Sequence, residues 1–390
     1  MDAHRHRSLR HTAAPMPLPD HVVLVFQGGG ALGSFQAGVY EELAALHVEV
    51  DWVAGISIGA INAAIIAGNP SERRLERLRT FWNKVSGGMP NFWLPDNKHI
   101  REAAHLAAAT TVAMYGVPGF FRPHGLLAPL MPSGSREAIS LYDTSPLIDT
   151  LNELVDWDLL NDGGVRLSVG AVDVESGNFA YFDNHTDRID ARHIMASGAL
   201  PPGLPPIEID GRYYWDGGLV SNTPLSYVLD KQCGNDMLAF QVDLFPAEGP
   251  MPRELTDVWS RQKDIQYSSR TRQVTDLYLR SRREHGAIRA VLDKLPSDME
   301  SDPDVQRLRA MIGEEGAVNI VHLIYRSREW EGGARDFEFS RSTMLDHWMQ
   351  GMEAVQKMMH KGDLIARNIM DGSSATFDLD RPDHLKEKKA

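Results

Sequence analysis

The chain has 390 residues, 43% of them apolar, enough to bury one large core or two modest ones. Its formal net charge of −13 argues against general nucleic-acid binding. The single cysteine, Cys233, excludes an internal disulfide and gives no sign of an oxidising compartment.

Residues 1–21 hold His4, Arg5, His6, Arg7, Arg10, His11 and three prolines, without the apolar stretch of a signal peptide, and are expected to form a disordered lead. Residues 22–26, Val-Val-Leu-Val-Phe, read as a buried strand. Gln27-Gly28-Gly29-Gly30-Ala31-Leu32-Gly33-Ser34 follows, and then a helix over 35–46. Such a loop leaves main-chain N–H groups approachable, which suits an anion. Gly28, Gly30 and Gly33 also satisfy G-x-G-x-x-G, a dinucleotide fingerprint. That fingerprint needs an acid at the end of the second strand. Here Glu49 and Asp51 fall before or at the start of the second strand, 52–55. An oxyanion hole is the better use of the loop, with the Gly29 and Gly30 N–H groups aimed at a reacting carbonyl.

The second strand runs into Gly55-Ile56-Ser57-Ile58-Gly59, a G-x-S-x-G followed by a helical run. A serine at so sharp a strand-to-helix turn is a nucleophile elbow. Gly55 and Gly59 are glycines because side chains there would collide. Residues 53–68, the longest apolar run, fall short of the ~20 that a membrane span needs and contain Ser57 and Asn62. In an α/β-hydrolase the elbow comes after several strands, and Asp or Glu and then His follow it. Here it lies on the second strand, which argues against that fold.

Residues 71–85 read as a charged amphipathic helix with Ser71 as N-cap, and 101–115 as an Ala-rich helix. Phe92-Trp93-Leu94-Pro95 and the apolar loop 114–131, with Phe120, Phe121, Leu126, Leu127 and Leu130, could cover a site, although packing on the core is the favoured expectation. A helix is expected within 141–154, capped at Thr144-Ser145-Pro146, and a hairpin from 165–174 and 178–182. Tyr213-Tyr214-Trp215 ends in Asp216-Gly217-Gly218, which places a carboxylate at a strand end in a glycine turn. Residues 237–245 read as the last core strand.

Gly28–Gly33, Gly55–Gly59 and Asp216–Gly218, in this order, resemble the patatin-like phospholipases, a family of lipid acyl hydrolases. Ala196-Ser197-Gly198-Ala199-Leu200-Pro201, Asn222 and Pro224 fit the same family, and the resemblance covers roughly residues 20–245. It implies a Ser–Asp dyad, with Ser57 as nucleophile, Asp216 as general base, Gly28, Gly29, Gly30 and Gly33 around the oxyanion, Gly217 and Gly218 in support, and no histidine. Two positions depart from it: many relatives carry Asp where this chain has Gln27, and Arg or Lys where it has Leu32. Loss of that cation favours an acyl ester over phospholipid specificity. A free aspartate titrates near 3.9, so a dyad is expected to work below the pH at which histidine protonates, unless burial raises that value.

Beyond Pro252 the texture changes. Residues 254–295 read as helical, with a basic face richest at Arg280, Arg282 and Arg283 that is expected to be solvated. A strand is expected over 318–325, then a Met-rich helix over 342–359 whose stripe belongs to the core. Together these give a three-layer α/β/α fold with a mostly parallel central sheet over 22–250, a mainly helical accessory extension over 251–372, and a charged tail over 373–390. The expected function is hydrolysis of a lipid-type acyl ester, with no cofactor, no metal and no nucleic acid. The expected setting is cytoplasmic, with peripheral contact to a lipid surface left open, as is the oligomeric state. A non-catalytic lipid-binding or scaffolding protein of the same fold and, further off, a dinucleotide-binding enzyme are the alternatives.

Overall fold

A computed structural model describes residues 9–10, 13–88, 97–125, 130–232, 234–268, 271–313, 316–328 and 330–378. Phe92–Pro95, Leu126, Leu127 and Cys233 lie outside the described residues. The chain opens with β1 (His21–Phe26), α1 (Ser34–Ala45), β2 (Trp52–Gly55), α2 (Ile58–Ala67), α3 (Ser71–Val85) and α4 (Lys98–Tyr115). The short β3 (Arg122–Pro123), α5 (Arg136–Ile139) and β4 (Tyr142–Asp143) lead to α6 (Ser145–Leu154) and α7 (Trp157–Asp162). Then come β5 (Arg166–Asp173), β6 (Phe179–Asp183), α8 (Ala191–Ser197), β7 (Ile207–Ile209), β8 (Arg212–Asp216), α9 (Leu225–Asp230) and β9 (Met237–Asp243). The remainder supplies α10 (Leu255–Tyr267), α11 (Thr271–Leu292), α12 (Pro303–Ile312), β10 (Val318–Ile324), α13 (Arg341–Met359), α14 (Gly362–Asp371) and β11 (Ala375–Asp378).

Nine strands form one sheet in the order β11-β10-β9-β1-β2-β5-β8-β7, with β6 also paired to β5. The pairs from β11 to β5 are parallel, and those that β5 makes with β6 and β8, and β8 with β7, are antiparallel. Strand β1 shows why helices must cover both faces: Val22, Leu24 and Phe26 enter one apolar core, and Val23 and Val25 enter another. The first core is closed by residues of α1, α2, α3, α13 and α14, the second by Leu225, Val228 and Leu229 of α9 with Val274 and Tyr278 of α11. That is the three-layer α/β/α arrangement of a mostly parallel sheet. The chain winds outward from β1 through β2 to β5, then returns on the other side through β9, β10 and β11. The direction of winding therefore reverses at the carboxyl end of β1, the kind of point at which open sheets of this type place their ligand sites.

Several expectations are corrected. The sheet does not end at β9, because β10 pairs parallel to β9 along its full length and β11 pairs parallel to β10. Helices α10 to α12 are the crossover that a parallel neighbour requires. Residues 375–378, expected in a tail, are thus a strand, and residues 379–390 lie outside the described residues. Helix 254–295 is two helices, and Leu295 lies beyond the end of α11 at Leu292. In the expected lead, Arg10 bridges Leu18, and Met16 and Leu18 are buried in the main core. Pro70, extended at ψ 150°, is the N-cap of α3, which makes Ser71 the first helical residue. The loop after α4 divides: Phe120 and Phe121 are buried, whereas Leu130 and Met131 are exposed. The methionine stripe of α13 is core, with Met344 and Met358 buried beside Val355 and Trp348.

Helices α1 and α13 touch backbone to backbone. A Cβ on Gly38 would stand 1.9 Å from the Trp348 carbonyl oxygen, and one on Gly351 would stand 2.1 Å from that of Phe35. Alanine at 351 must push the helices apart, which costs about 1–3 kcal/mol and outweighs the gain in helix propensity of roughly 1 kcal/mol. Gly286 in α11 has nothing within 4 Å of its would-be Cβ. Gly286→Ala is therefore expected to raise the urea midpoint and Gly351→Ala to lower it. A rise in both would show that the helix contact yields freely.

Candidate active site

Strand β2 ends at Gly55, paired with Val169 of β5, and the chain then turns into α2. Ser57 caps α2 with φ 55° and ψ −123°, a conformation that side chains rarely adopt. Both flanking glycines are sterically required. A Cβ on Gly55 would lie 2.3 Å from the Gly59 carbonyl oxygen, and one on Gly59 would lie 2.5 Å from that of Phe26. The Ser57 N–H donates to Ser197 Oγ at 3.0 Å, and Ser197 Oγ donates to the Gly170 carbonyl at 2.7 Å. Ser197 thus anchors the elbow to β5. No local pattern gives Ser197 this role, because its partner Ser57 is 140 residues away.

Asp216 reaches Ser57 through the pairing of β5. Strand β6 occupies one edge of β5 over residues 168–172. The other edge carries β2 as far as Val169 and then β8 from Ala171, which pairs with Asp216. Strand β8 therefore takes over where β2 turns away, and brings Asp216 alongside the elbow. The carboxylate is 3% exposed and accepts the Gly218 N–H at 2.7 Å, and the Ser57 side chain lies near enough to act on its titration. Burial pushes its pKa up to about 7, while the Ser57 side chain and the Gly218 N–H pull it down. This is the case in which burial raises the carboxyl into the range where a histidine titrates, so a dyad here is not expected to keep working below that range. A Cβ on Gly217 would press on the Gly170 carbonyl at 2.7 Å, and one on Gly218 would lie 3.0 Å from the Asp216 carboxylate. These two glycines let the turn close on its own acid.

The glycine loop passes over the same point. A Cβ on Gly28 would meet Asn222 Oδ1 at 2.4 Å and Ser57 Cβ at 3.1 Å. The Gly28 N–H is taken by the Asn222 carbonyl at 3.2 Å, which removes it as an oxyanion donor. Among the described residues, the N–H groups of Gly29 and Gly30 have no hydrogen-bond partner, and both residues keep partial exposure. Gly33 packs on Ile58 and Trp82, so its lack of a side chain lets the loop approach α2. Leu32 is fully buried in the main core, and the loop presents no cation there.

The two nearby-in-sequence histidines are engaged elsewhere. His193 closes a capping box with Asp190 at the start of α8 and lies edge-on to Phe182, and His185 is exposed in the turn after β6. Gln27, Asn222 and Tyr267, by contrast, join the site through hydrogen bonds that no local pattern announces.

A model of the patatin-like phospholipases matches residues 24–229, and a second, patatin phospholipase, matches residues 265–370. A cGAMP-activated phospholipase of Vibrio cholerae serotype O1 is 27% identical over 229 residues, covering 52% of this chain and 55% of that protein. A patatin-like phospholipase domain-containing protein of Caenorhabditis elegans is 39% identical over 59 residues, 15% of this chain and 5% of that protein. The chain spans about half the length of the first of these curated relatives and far less of the second. Human GIVD cytosolic phospholipase A2 superposes with a TM-score of 0.45 at 13% identity, covering 91% of this chain and 60% of that one. Since the first model spans more than half of the residues, the chain belongs to the patatin-like phospholipase family.

Proposed function

We propose that this protein is a serine hydrolase of lipid-type acyl esters that works through a Ser57–Asp216 dyad. The observation that carries the proposal is Ser57 at a strained strand-to-helix turn, beside a buried carboxylate poised near neutrality on whose titration its side chain acts. Ser57 Oγ attacks the ester carbonyl and its proton passes to Asp216. The negative charge on the former carbonyl oxygen faces the free N–H groups of Gly29 and Gly30. The alcohol leaves with the proton from Asp216, and Ser57 remains acylated. Water then attacks the acyl-enzyme, Asp216 takes its proton, and the carboxylic acid departs as Ser57 recovers its hydrogen. With Leu32 buried where a cation would stand, the loop recognises the acyl carbonyl rather than a headgroup phosphate.

A fluorophosphonate probe tests this directly. It is expected to label the protein once, with the phosphonyl group mapped to Ser57 by peptide mass spectrometry. Absence of labelling would favour a binding or scaffolding protein of the same fold. Labelling elsewhere would move the nucleophile.

A further inference from the structure

Gln27, the residue between β1 and the glycine loop, is fully buried, and its amide uses all of its hydrogen-bonding capacity. Its Oε1 accepts the N–H groups of Leu244 at 2.6 Å and Phe245 at 2.8 Å. Its Nε2 donates to Thr223 Oγ1 at 3.1 Å and to the Tyr267 carbonyl at 3.0 Å. One side chain thereby joins the end of β9, the turn that follows Asp216 and the last residue of α10. Asn222 makes a parallel connection. Its Nδ2 donates to the Gly28 carbonyl and to the Tyr267 carbonyl, both at 3.0 Å. The Tyr267 carbonyl is therefore shared by a donor from the glycine-loop segment and a donor from the Asp216 segment. The glycine loop meets the same region a second time, where a Cβ on Gly30, at φ 55°, would lie 2.2 Å from the Asp336 carbonyl oxygen.

We infer that Gln27 is a positioning residue for acyl transfer: with Asn222 it clamps the glycine loop and the Asp216 turn onto the Tyr267 carbonyl, so the segment beyond residue 250 completes the active centre. The inference rests on the Ser57–Asp216 mechanism proposed above. The chemistry explains the amide. A carboxylate of the same shape could still accept the Leu244 and Phe245 N–H groups. It could donate nothing to Thr223 or Tyr267; the Thr223 hydroxyl could turn to donate to it, but its charge would face the Tyr267 carbonyl oxygen. Neither donors nor acceptors alone hold this junction together.

Gln27→Glu separates these features, since it keeps the shape and removes both donors while ionised. On a short-chain p-nitrophenyl ester at about pH 8, kcat is expected to fall by about 10²-fold, the usual consequence of an approximately 1 Å misplacement, with KM little changed. As the introduced carboxyl takes up a proton it regains one O–H donor, so the ratio of wild-type to variant kcat should shrink as pH is lowered. Gln27→Asn keeps an amide that is one methylene too short. It should lose kcat by a factor that does not change with pH. Melting curves accompany both variants. A folded Gln27→Glu with wild-type kcat, or with a deficit that does not respond to pH, overturns the inference. If only that variant fails to fold, a Gln27→Asn protein with wild-type kcat overturns it. Loss of the fold in both makes Gln27 structural and overturns it too. Failure of the underlying mechanism would be visible separately, because the wild-type protein would then not be labelled by fluorophosphonate at Ser57.

Discussion

Replacement of Ser57 by alanine will reduce ester turnover by on the order of 10⁴-fold or more, the scale on which loss of a serine nucleophile is felt. The fold will survive. Alanine keeps the main-chain N–H that donates to Ser197 Oγ and leaves Gly55 and Gly59 in their close contacts. It also keeps the strain, because the penalty at φ 55° and ψ −123° comes from any Cβ and not from the hydroxyl. Ser57→Gly should therefore be equally inactive yet more stable than Ser57→Ala, by about 1 kcal/mol or more. Turnover by Ser57→Ala at the wild-type rate would remove Ser57 from the mechanism. Equal melting temperatures for the alanine and glycine variants would mean that the elbow stores no strain at this residue.

The elbow glycines were legible in sequence because the motif encodes a sharp strand-to-helix turn wherever it occurs. Gly55 meets the Gly59 carbonyl inside that turn, whereas the contacts that require Gly59, at Phe26, and Gly28, at Asn222, come from distant strands and turns. Asp216 was legible as an acid at a strand end, but its arrival beside Ser57 depends on β8 replacing β2 along one edge of β5, which no spacing specifies. Ser197, Gln27 and Tyr267 were not legible as parts of the site, since each acts through a partner more than a hundred residues away. In sequence, Gln27 stands out only as a departure from the family pattern. The extension shows the same limit at the level of the fold. Residues 318–325 read as a strand by composition, and all but the last of them form one. Their place beside β9 required a parallel crossover of three helices, which sequence periodicity cannot locate. The four-residue β11 had no pattern long enough to separate it from a tail.

Asp216→Asn will nearly abolish turnover, as Ser57→Ala does, and in addition will make the protein more stable at alkaline pH. The first effect follows because asparagine cannot take the serine proton. The second follows from burial. The carboxyl titrates at about 7 in the folded chain and near its ordinary 3.8 when unfolded. Between these values the native state holds a proton that the unfolded state has released, so stability falls as pH rises through this window and the full loss is present above about 7. Three pH units correspond to on the order of 4 kcal/mol. The asparagine Oδ1 can still accept the Gly218 N–H while carrying no charge. The variant's melting temperature should thus exceed that of the wild type by several degrees at about pH 8 and converge with it near pH 4. The same titration shapes catalysis. Wild-type kcat/KM should drop about tenfold per pH unit below the Asp216 pKa, a profile that resembles a histidine base without one. Substitution separates the two: His185→Ala and the folded fraction of His193→Ala should keep turnover. If either histidine variant were inactive while Asp216→Asn hydrolysed the ester, the base would be a histidine and the dyad would have to be given up. If Asp216→Asn were inactive but no more stable than wild type at about pH 8, the carboxyl would be the base without being held near neutrality by burial.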